Sequence, residues 1–423
     1  MSIMKIHGGR SLHGEVTIGG AKNSVVALIP AAVLADSPVK FDMVPDILDV
    51  HNLMLILQSM NVSSYFADGV LQIDPTKIQT GQLPSKAIKK LRASYYFMGA
   101  LLGKFHRAVI SFPGGDNIGP RPIDQHIRAF EALGAHVTES GDTVYIDATE
   151  NGLIGAPIFF EMVSVGATIN AILAATRAQG VTTIHNVARE PEIVDVVAFL
   201  NEMGAHITGA GTDVIRIEGV DHLEAKQTHM VIPDRIEAGT YLSLAAAVGE
   251  GILIKNVIPQ HLEPFTQKLQ EMGVDLTIND HDIYVNQPQQ LRGVQIQTAP
   301  FPAFATDWQQ PITPLLLTAQ SESVITDTIY PQRQKHVGQL QKMGAQIRVN
   351  AKRQIIVEPT PHLHGSVVAA GEIRAGAALM IAGLMADGET VIEETDNILR
   401  GYDNIARKLT DLHADVELLP SSD

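Results

Sequence analysis

Leu269-Gln270-Glu271-Met272-Gly273 ends a helix-like stretch of this chain, and the alternating Asp275-Leu276-Thr277-Ile278 follows at once. The same ending recurs as Leu57-Gln58-Ser59-Met60-Asn61, Phe130-Glu131-Ala132-Leu133-Gly134, Leu200-Asn201-Glu202-Met203-Gly204, Leu340-Gln341-Lys342-Met343-Gly344 and Leu409-Thr410-Asp411-Leu412-His413. Its Met or Leu stands at 60, 133, 203, 272, 343 and 412, in steps of 73, 70, 69, 71 and 69 residues. A period that regular marks a chain built from repeated units. Gly just past the last helical residue closes a helix in the left-handed conformation. Asn61 and His413 replace it with side chains that are enriched at positive φ. After each stop an alternating stretch, a polar turn and a second such stretch are expected, as in Ala135 to Thr138, the turn 139–142 and Thr143 to Ile146.

At 423 residues the chain exceeds one ordinary core, so two or three domains are expected. Hydrophobic content of 45% with only 5% aromatic suits layered α/β packing. Lys+Arg 31 against Asp+Glu 46 gives a net charge of −15, which argues against nonspecific nucleic-acid binding. Cysteine is absent, which excludes disulfides, a thiolate metal site and a cysteine nucleophile, and fits a reducing cytosol. The N-terminus shows no signal-peptide pattern, and apolar runs such as Leu242 to Val248 are too short to span a bilayer. A soluble, cytoplasmic protein without a membrane partner is the expectation.

Two places look like crossings between domains. One is Ile18-Gly19-Gly20-Ala21, directly before Lys22-Asn23, and the other is Val231-Ile232-Pro233-Asp234-Arg235. Cutting there leaves three helix stops between them and three after. The expected domains are residues 22–231, carrying the loop 112–122, and a discontinuous 1–21 plus 232–423, which the first strand rejoins. Clefts between domains are favoured ligand sites.

Phe112 to His126 holds three glycines and three prolines in 15 residues and cannot be a helix or strand interior. It is a loop carrying Asp116 and Arg121, either a lid or a plain connection to the next helix. It matches no Walker or dinucleotide fingerprint. Lys22 with Asn23, Arg92, Arg121, Arg189, Arg235, Arg374 and Arg400 all lie near element boundaries. Arg offers a planar fork and Lys a point charge, so as a set they suit a small anion; any one of them alone reads as a structural ion pair. Asp307, beside the only Trp, is either a reactive carboxylate or an N-cap. Glu190 and Glu192 around Pro191 suit a helix start. The histidines show no metal-ligand spacing.

Taken together, these stretches resemble the UDP-N-acetylglucosamine 1-carboxyvinyltransferases, the enolpyruvyl transferases of peptidoglycan synthesis. The matching motifs are Gly20-Ala21-Lys22-Asn23, Leu91-Arg92-Ala93-Ser94, the loop 113–126, Ser164-Val165-Gly166-Ala167-Thr168, Ala188-Arg189-Glu190-Pro191-Glu192, Pro233-Asp234-Arg235-Ile236-Glu237, Thr306-Asp307 and Leu399-Arg400-Gly401-Tyr402. They run in the family's order from residue 20 to 402. The resemblance implies a two-domain inside-out α/β barrel of six βαβαββ-type repeats, three per domain. It also implies a cofactor-free, metal-free transfer of the enolpyruvyl group of phosphoenolpyruvate to the 3-hydroxyl of UDP-N-acetylglucosamine, with release of phosphate.

Carried over by motif, Lys22, Arg121 and Arg400 would hold the phosphate and carboxylate of phosphoenolpyruvate, with Asn23 beside them. Arg92, Arg121, Pro122, Ile123, Asp124, Gln125, Ser164, Val165, Gly166, Asp307 and Ile329 would line the nucleotide-sugar site. Asp307 would accept the proton of the attacking hydroxyl. Asp116 stands where most members carry Cys, at the place linked to protonating the substrate's methylene carbon. An Asp there serves as a general acid near neutral pH only if burial raises its pKa. Met162 replaces a frequent Lys, and Glu372 a frequent Asp. The rival expectation is a catalytically impaired paralogue that binds the nucleotide sugar as a regulator. Retention of Lys22, Arg92, Arg121, Asp307 and Arg400 weighs against it.

Overall fold

The computed structural model describes residues 2–79, 83, 92–111, 123–286, 290–360 and 362–420. Its described residues fall into two compact units, residues 2–19 with 233–420 and residues 20–232. Helix Leu48–Ser59 is followed by Asn61 at φ 64°, and Gly134, Gly204, Gly273, Gly344 and His413 follow their helices at 93°, 103°, 101°, 91° and 67°. Every stop in the repeat is therefore a left-handed residue, which turns the chain sharply into the next strand.

Two kinds of helix alternate. Helices Lys22–Ala32, Tyr96–Phe105 and Val165–Ala175 in one unit are apolar nearly all round and almost wholly buried. So are Arg235–Val248, Thr306–Leu316 and Ile373–Met385 in the other. A helix apolar on all faces belongs inside a core. Most helices that carry the stops bury one stripe, as Lys335–Lys342 buries His336, Val337 and Leu340, while Pro191–Glu202 buries a wider face. Sheets flank both kinds and expose alternate residues, so each unit is an inside-out α/β barrel with helices at its centre.

Five four-stranded sheets and one three-stranded sheet are formed by the described residues. Two of the four-stranded sheets are each one uninterrupted repeat, a strand, an inner helix, a parallel strand, an outer helix and an antiparallel hairpin, and the other three complete the same pattern with a strand from elsewhere in the chain. Pro157–Phe159, Val181–His185, His206–Thr208 and Val214–Glu218 show the pattern without interruption. In the three-stranded sheet Leu83 donates its N–H to Val109 O along the edge strand.

The sixth repeat departs from the expected hairpin. After His413 only one strand follows, Asp415–Pro420, and its antiparallel partner is the first strand of the chain, Ser2–His7, with Ser2 opposite Pro420. The next strand, Leu12–Thr17, joins another sheet, parallel to Gly249–Lys255. The repeat is thus circularly permuted: the N-terminal hairpin is divided between two sheets and closes that unit. In the other unit His229–Met230 closes the ring by pairing parallel with Phe41 and Asp42.

Close helix contacts are made possible by glycine. A Cβ at Gly239 would lie 2.5 Å from Trp308 Nε1, and the indole cannot move because it is fully buried and donates to Arg235 O at 3.0 Å. Gly239→Ala is expected to cost about 1–3 kcal/mol through overpacking. A thermal unfolding midpoint unchanged from the parent would refute this contact.

His229 lies buried with Glu202 Oε2 2.9 Å from one ring nitrogen and Asp195 Oδ1 3.1 Å from the other. A neutral imidazole can donate from one nitrogen only, so this arrangement suits the imidazolium. Burial opposes the charge, but Asp195 and Glu202 outweigh it and raise the pKa above the ordinary 6.5. The stabilisation is full below 6.5 and is lost as pH rises through the higher folded value. Melting temperatures measured across that interval should fall for the parent more than for His229→Gln; parallel curves would refute the assignment. No helix of the described residues is long and apolar enough to cross a membrane.

Candidate active site

The inner helices converge end to end within each unit. In the 20–232 unit their C-termini meet: Lys104 Nζ donates to Ala35 O at 2.6 Å and Arg177 Nη2 to Leu34 O at 2.6 Å. Cations at carbonyl ends match the helix dipole. In the other unit the N-termini meet. Trp308 reaches Arg235, the first residue of its helix, while Asp307 touches Arg374, the second residue of another. Three helix N-termini at one place create a positive potential suited to anions.

Asp307 is the second residue of helix Thr306–Leu316; the N-cap is Ala305, so Asp307 is not the cap. Its Oδ1 accepts from Arg333 Nη1 at 2.6 Å and its Oδ2 from Arg374 Nε at 3.3 Å. Arg333 also reaches Glu372 Oε1 at 3.4 Å. The guanidinium side chains are 5% and 2% exposed and Glu372 is 1% exposed, whereas Asp307 keeps 26%. The carboxylate is therefore the member that faces outward. Burial works against the charge of Arg333, but Asp307 and Glu372 prevail and raise its pKa. Arg374 is likewise buried, yet its neighbours Tyr402 and Asp307 raise its pKa too, so both stay cationic.

A second carboxylate fixes the surroundings. Asp327 accepts from Thr298 Oγ1 at 2.8 Å, Thr306 Oγ1 at 2.7 Å and the N–H groups of Ile329 and Tyr330 at 2.9 Å each. It thereby ties Ile329 to the turn that carries Asp307. Tyr402 lies 5.3 Å from Arg374 Cζ, and Arg400 ends the short helix Asp396–Leu399 two residues before it. Arg235 is held between Phe301 and Trp308 at 5.5 and 5.4 Å.

The other unit carries a second grouping. Lys22 and Asn23 open an inner helix whose N-cap, Ala21, supplies no side-chain cap. Lys22 Nζ lies 3.1 Å from Asp49 Oδ2. Arg92 opens the 3-10 turn Arg92–Tyr95, before the inner helix Tyr96–Phe105. Ser164 caps the third inner helix, its Oγ accepting from Ala167 N at 3.3 Å, so Val165 and Gly166 form its first turn. Ile123, Asp124 and Gln125 start the outer helix Asp124–Ala132 beside it. Gln125 Oε1 accepts from Glu161 N at 3.1 Å, and a Cβ at Gly166 would meet His126 Nε2 at 2.9 Å. These two helix starts are thus brought together. Asp116, Arg121 and Pro122 lie outside the described residues.

Comparison with known proteins decides the family. A model of the EPSP synthase (3-phosphoshikimate 1-carboxyvinyltransferase) family matches residues 6–409. The UDP-N-acetylglucosamine 1-carboxyvinyltransferase 2 of Lactiplantibacillus plantarum is 65% identical over 418 residues, 99% of this chain and 98% of that protein. The UDP-N-acetylglucosamine 1-carboxyvinyltransferase of Lactobacillus acidophilus is 58% identical over 424 residues, 100% of this chain and 98% of its own.

The chain belongs to the UDP-N-acetylglucosamine 1-carboxyvinyltransferase family.

It is a transferase of this family on the strength of full-length identity. Solved structures extend the fold beyond sequence likeness. The enolpyruvyl transferase NikO from Streptomyces tendae superposes with a TM-score of 0.90 at 24% identity, covering 100% of this chain and 99% of its own. EPSP synthase from Acinetobacter baumannii gives 0.76 at 19% identity, covering 98% and 99%.

Arg333 and Asp49 were not among the sequence candidates. Arg333 stands just before helix Lys335–Lys342, a boundary like those of the other cations, so the same rule reaches it. Asp49 falls on the stripe Val50, Leu53, Ile56 and Leu57 that its helix buries, and a carboxylate at an apolar position is a legible signal.

Proposed function

We propose that this chain transfers the enolpyruvyl group of phosphoenolpyruvate to the 3-hydroxyl of UDP-N-acetylglucosamine, releasing phosphate, in the cytoplasmic synthesis of peptidoglycan precursors. The observation that carries the chemistry is the outward-facing Asp307 carboxylate braced by two buried guanidinium groups. Bracing fixes its direction, as a general base requires.

In the first step the sugar hydroxyl oxygen adds to C2 of phosphoenolpyruvate. Asp307 takes the hydroxyl proton, and an acid, assigned to Asp116, delivers a proton to C3. In the second step C3 loses a proton, the bond from C2 to the phosphate oxygen breaks, and inorganic phosphate leaves. Lys22, Arg121 and Arg400 hold the charged ends of phosphoenolpyruvate, with Asn23 beside Lys22. The uncapped start of the Lys22 helix supports phosphate binding, since first-turn N–H groups receive anions. Arg92, Pro122, Ile123, Asp124, Gln125, Ser164, Val165, Gly166 and Ile329 line the nucleotide-sugar site.

The test is phosphate release from phosphoenolpyruvate with and without UDP-N-acetylglucosamine. Release that requires the sugar supports the reading. A well-folded protein that releases none is a nucleotide-sugar-binding module instead.

A further inference from the structure

Asp49 is a carboxylate in an unexpected place. It lies in the first turn of helix Leu48–Ser59, on the stripe that packs into the core, and its side chain is 1% exposed. Burying a carboxylate is costly unless a partner compensates. Its Oδ2 lies 3.1 Å from Lys22 Nζ, itself 13% exposed. Lys22 opens its own helix, where the dipole repels a cation. The helix dipole favours the Asp49 carboxylate and disfavours the Lys22 ammonium, but burial opposes both charges, and the ion pair between them offsets part of that cost.

The backbone leading to Asp49 is set from the Lys22 side. Gly20 packs directly on Met43 O, a contact that leaves no room for a Cβ. Met43 has φ 62° and donates its N–H to Asp42 Oδ1 at 2.7 Å, and Val44 N donates to Gly69 O at 2.8 Å. From this anchored turn the chain enters the Asp49 helix five residues later. The segment before Lys22 and the segment before Asp49 are thus locked to each other, which fixes the separation of the two side chains.

We propose that Asp49 is a positioning residue for the transfer reaction, holding the Lys22 ammonium in the direction from which it meets phosphoenolpyruvate. The proposal rests on the reading of Lys22 as a phosphoenolpyruvate contact. Asp49 acts through Lys22 and touches no substrate.

The test is a double-substitution cycle with kcat and KM measured for both substrates. Asp49→Asn should lower kcat/KM for phosphoenolpyruvate about 10²-fold, the scale of a misplaced contact group. KM for the nucleotide sugar should stay at the parent value. On a Lys22→Ala background Asp49→Asn should have no further effect, because its route of action is already gone. A loss of the same size on that background, or none in the single variant, overturns the proposal. If Lys22→Ala alone leaves kcat/KM for phosphoenolpyruvate unchanged, the placement of Lys22 fails, and the proposal with it. Circular dichroism reports on the fold of each variant. If Asp49→Asn does not fold, Asp49→Glu keeps the charge but moves it by one methylene; a folded Asp49→Glu with parental kinetics overturns the proposal equally.

Discussion

Asp307→Asn should lower kcat by about 10²–10⁴-fold, the range of general base catalysis. The substitution keeps the shape of the side chain and its place in the first turn of helix Thr306–Leu316. What it removes is the proton acceptor, and with it the charge between Arg333 and Arg374. Because the carboxylate is the exposed member of the group, the fold should tolerate the change better than a change in the arginines. KM for UDP-N-acetylglucosamine should move far less than kcat, since an interaction made mainly in the transition state appears in kcat. Sugar-dependent phosphate release is the measurement. Activity within tenfold of the parent would take Asp307 out of the base role.

Arg333→Ala should destabilise the protein by about 3–5 kcal/mol, the cost of removing one partner from a buried ion pair. Arg333 bridges an outward carboxylate, Asp307, and an inward one, Glu372, whose side chain is 1% exposed. Without the guanidinium the buried carboxylate is left short of its compensating charge, and the total stability of a domain is only about 5–15 kcal/mol. The denaturant midpoint of unfolding should fall accordingly. The paired change Arg333→Met with Glu372→Leu removes both charges and should recover much of the midpoint, because well-packed apolar residues replace buried pairs at little cost. It should not recover turnover, since Asp307 loses a brace. A midpoint for Arg333→Ala equal to the parent's would show that the pair contributes nothing to stability.

The repeat was legible because its signals are local. A left-handed residue at the end of each helix is a property of one φ angle, and Asn61, Gly134 and His413 each adopt it. All-apolar inner helices and striped outer helices are also local patterns, and these two classes give the order of layers. That the first strand rejoins the C-terminal half was an expectation from the domain cuts, but its pairing with Asp415–Pro420 in place of a sixth hairpin was not legible, because the two strands lie at opposite ends of the chain and nothing in either names its partner.

Sequence by itself determined the family, the number of repeats and the candidate residues Lys22, Asp307 and Arg374, because short motifs at helix starts persist as strings of residues. Tertiary structure alone decided which charges meet: Asp307 with Arg333 and Arg374, and Lys22 with Asp49. Those encounters bring together residues 26, 67 and 27 positions apart in the chain. No local pattern encodes them; within each unit they follow from helices packing in a set order, which brings residues at or near different helix starts into contact.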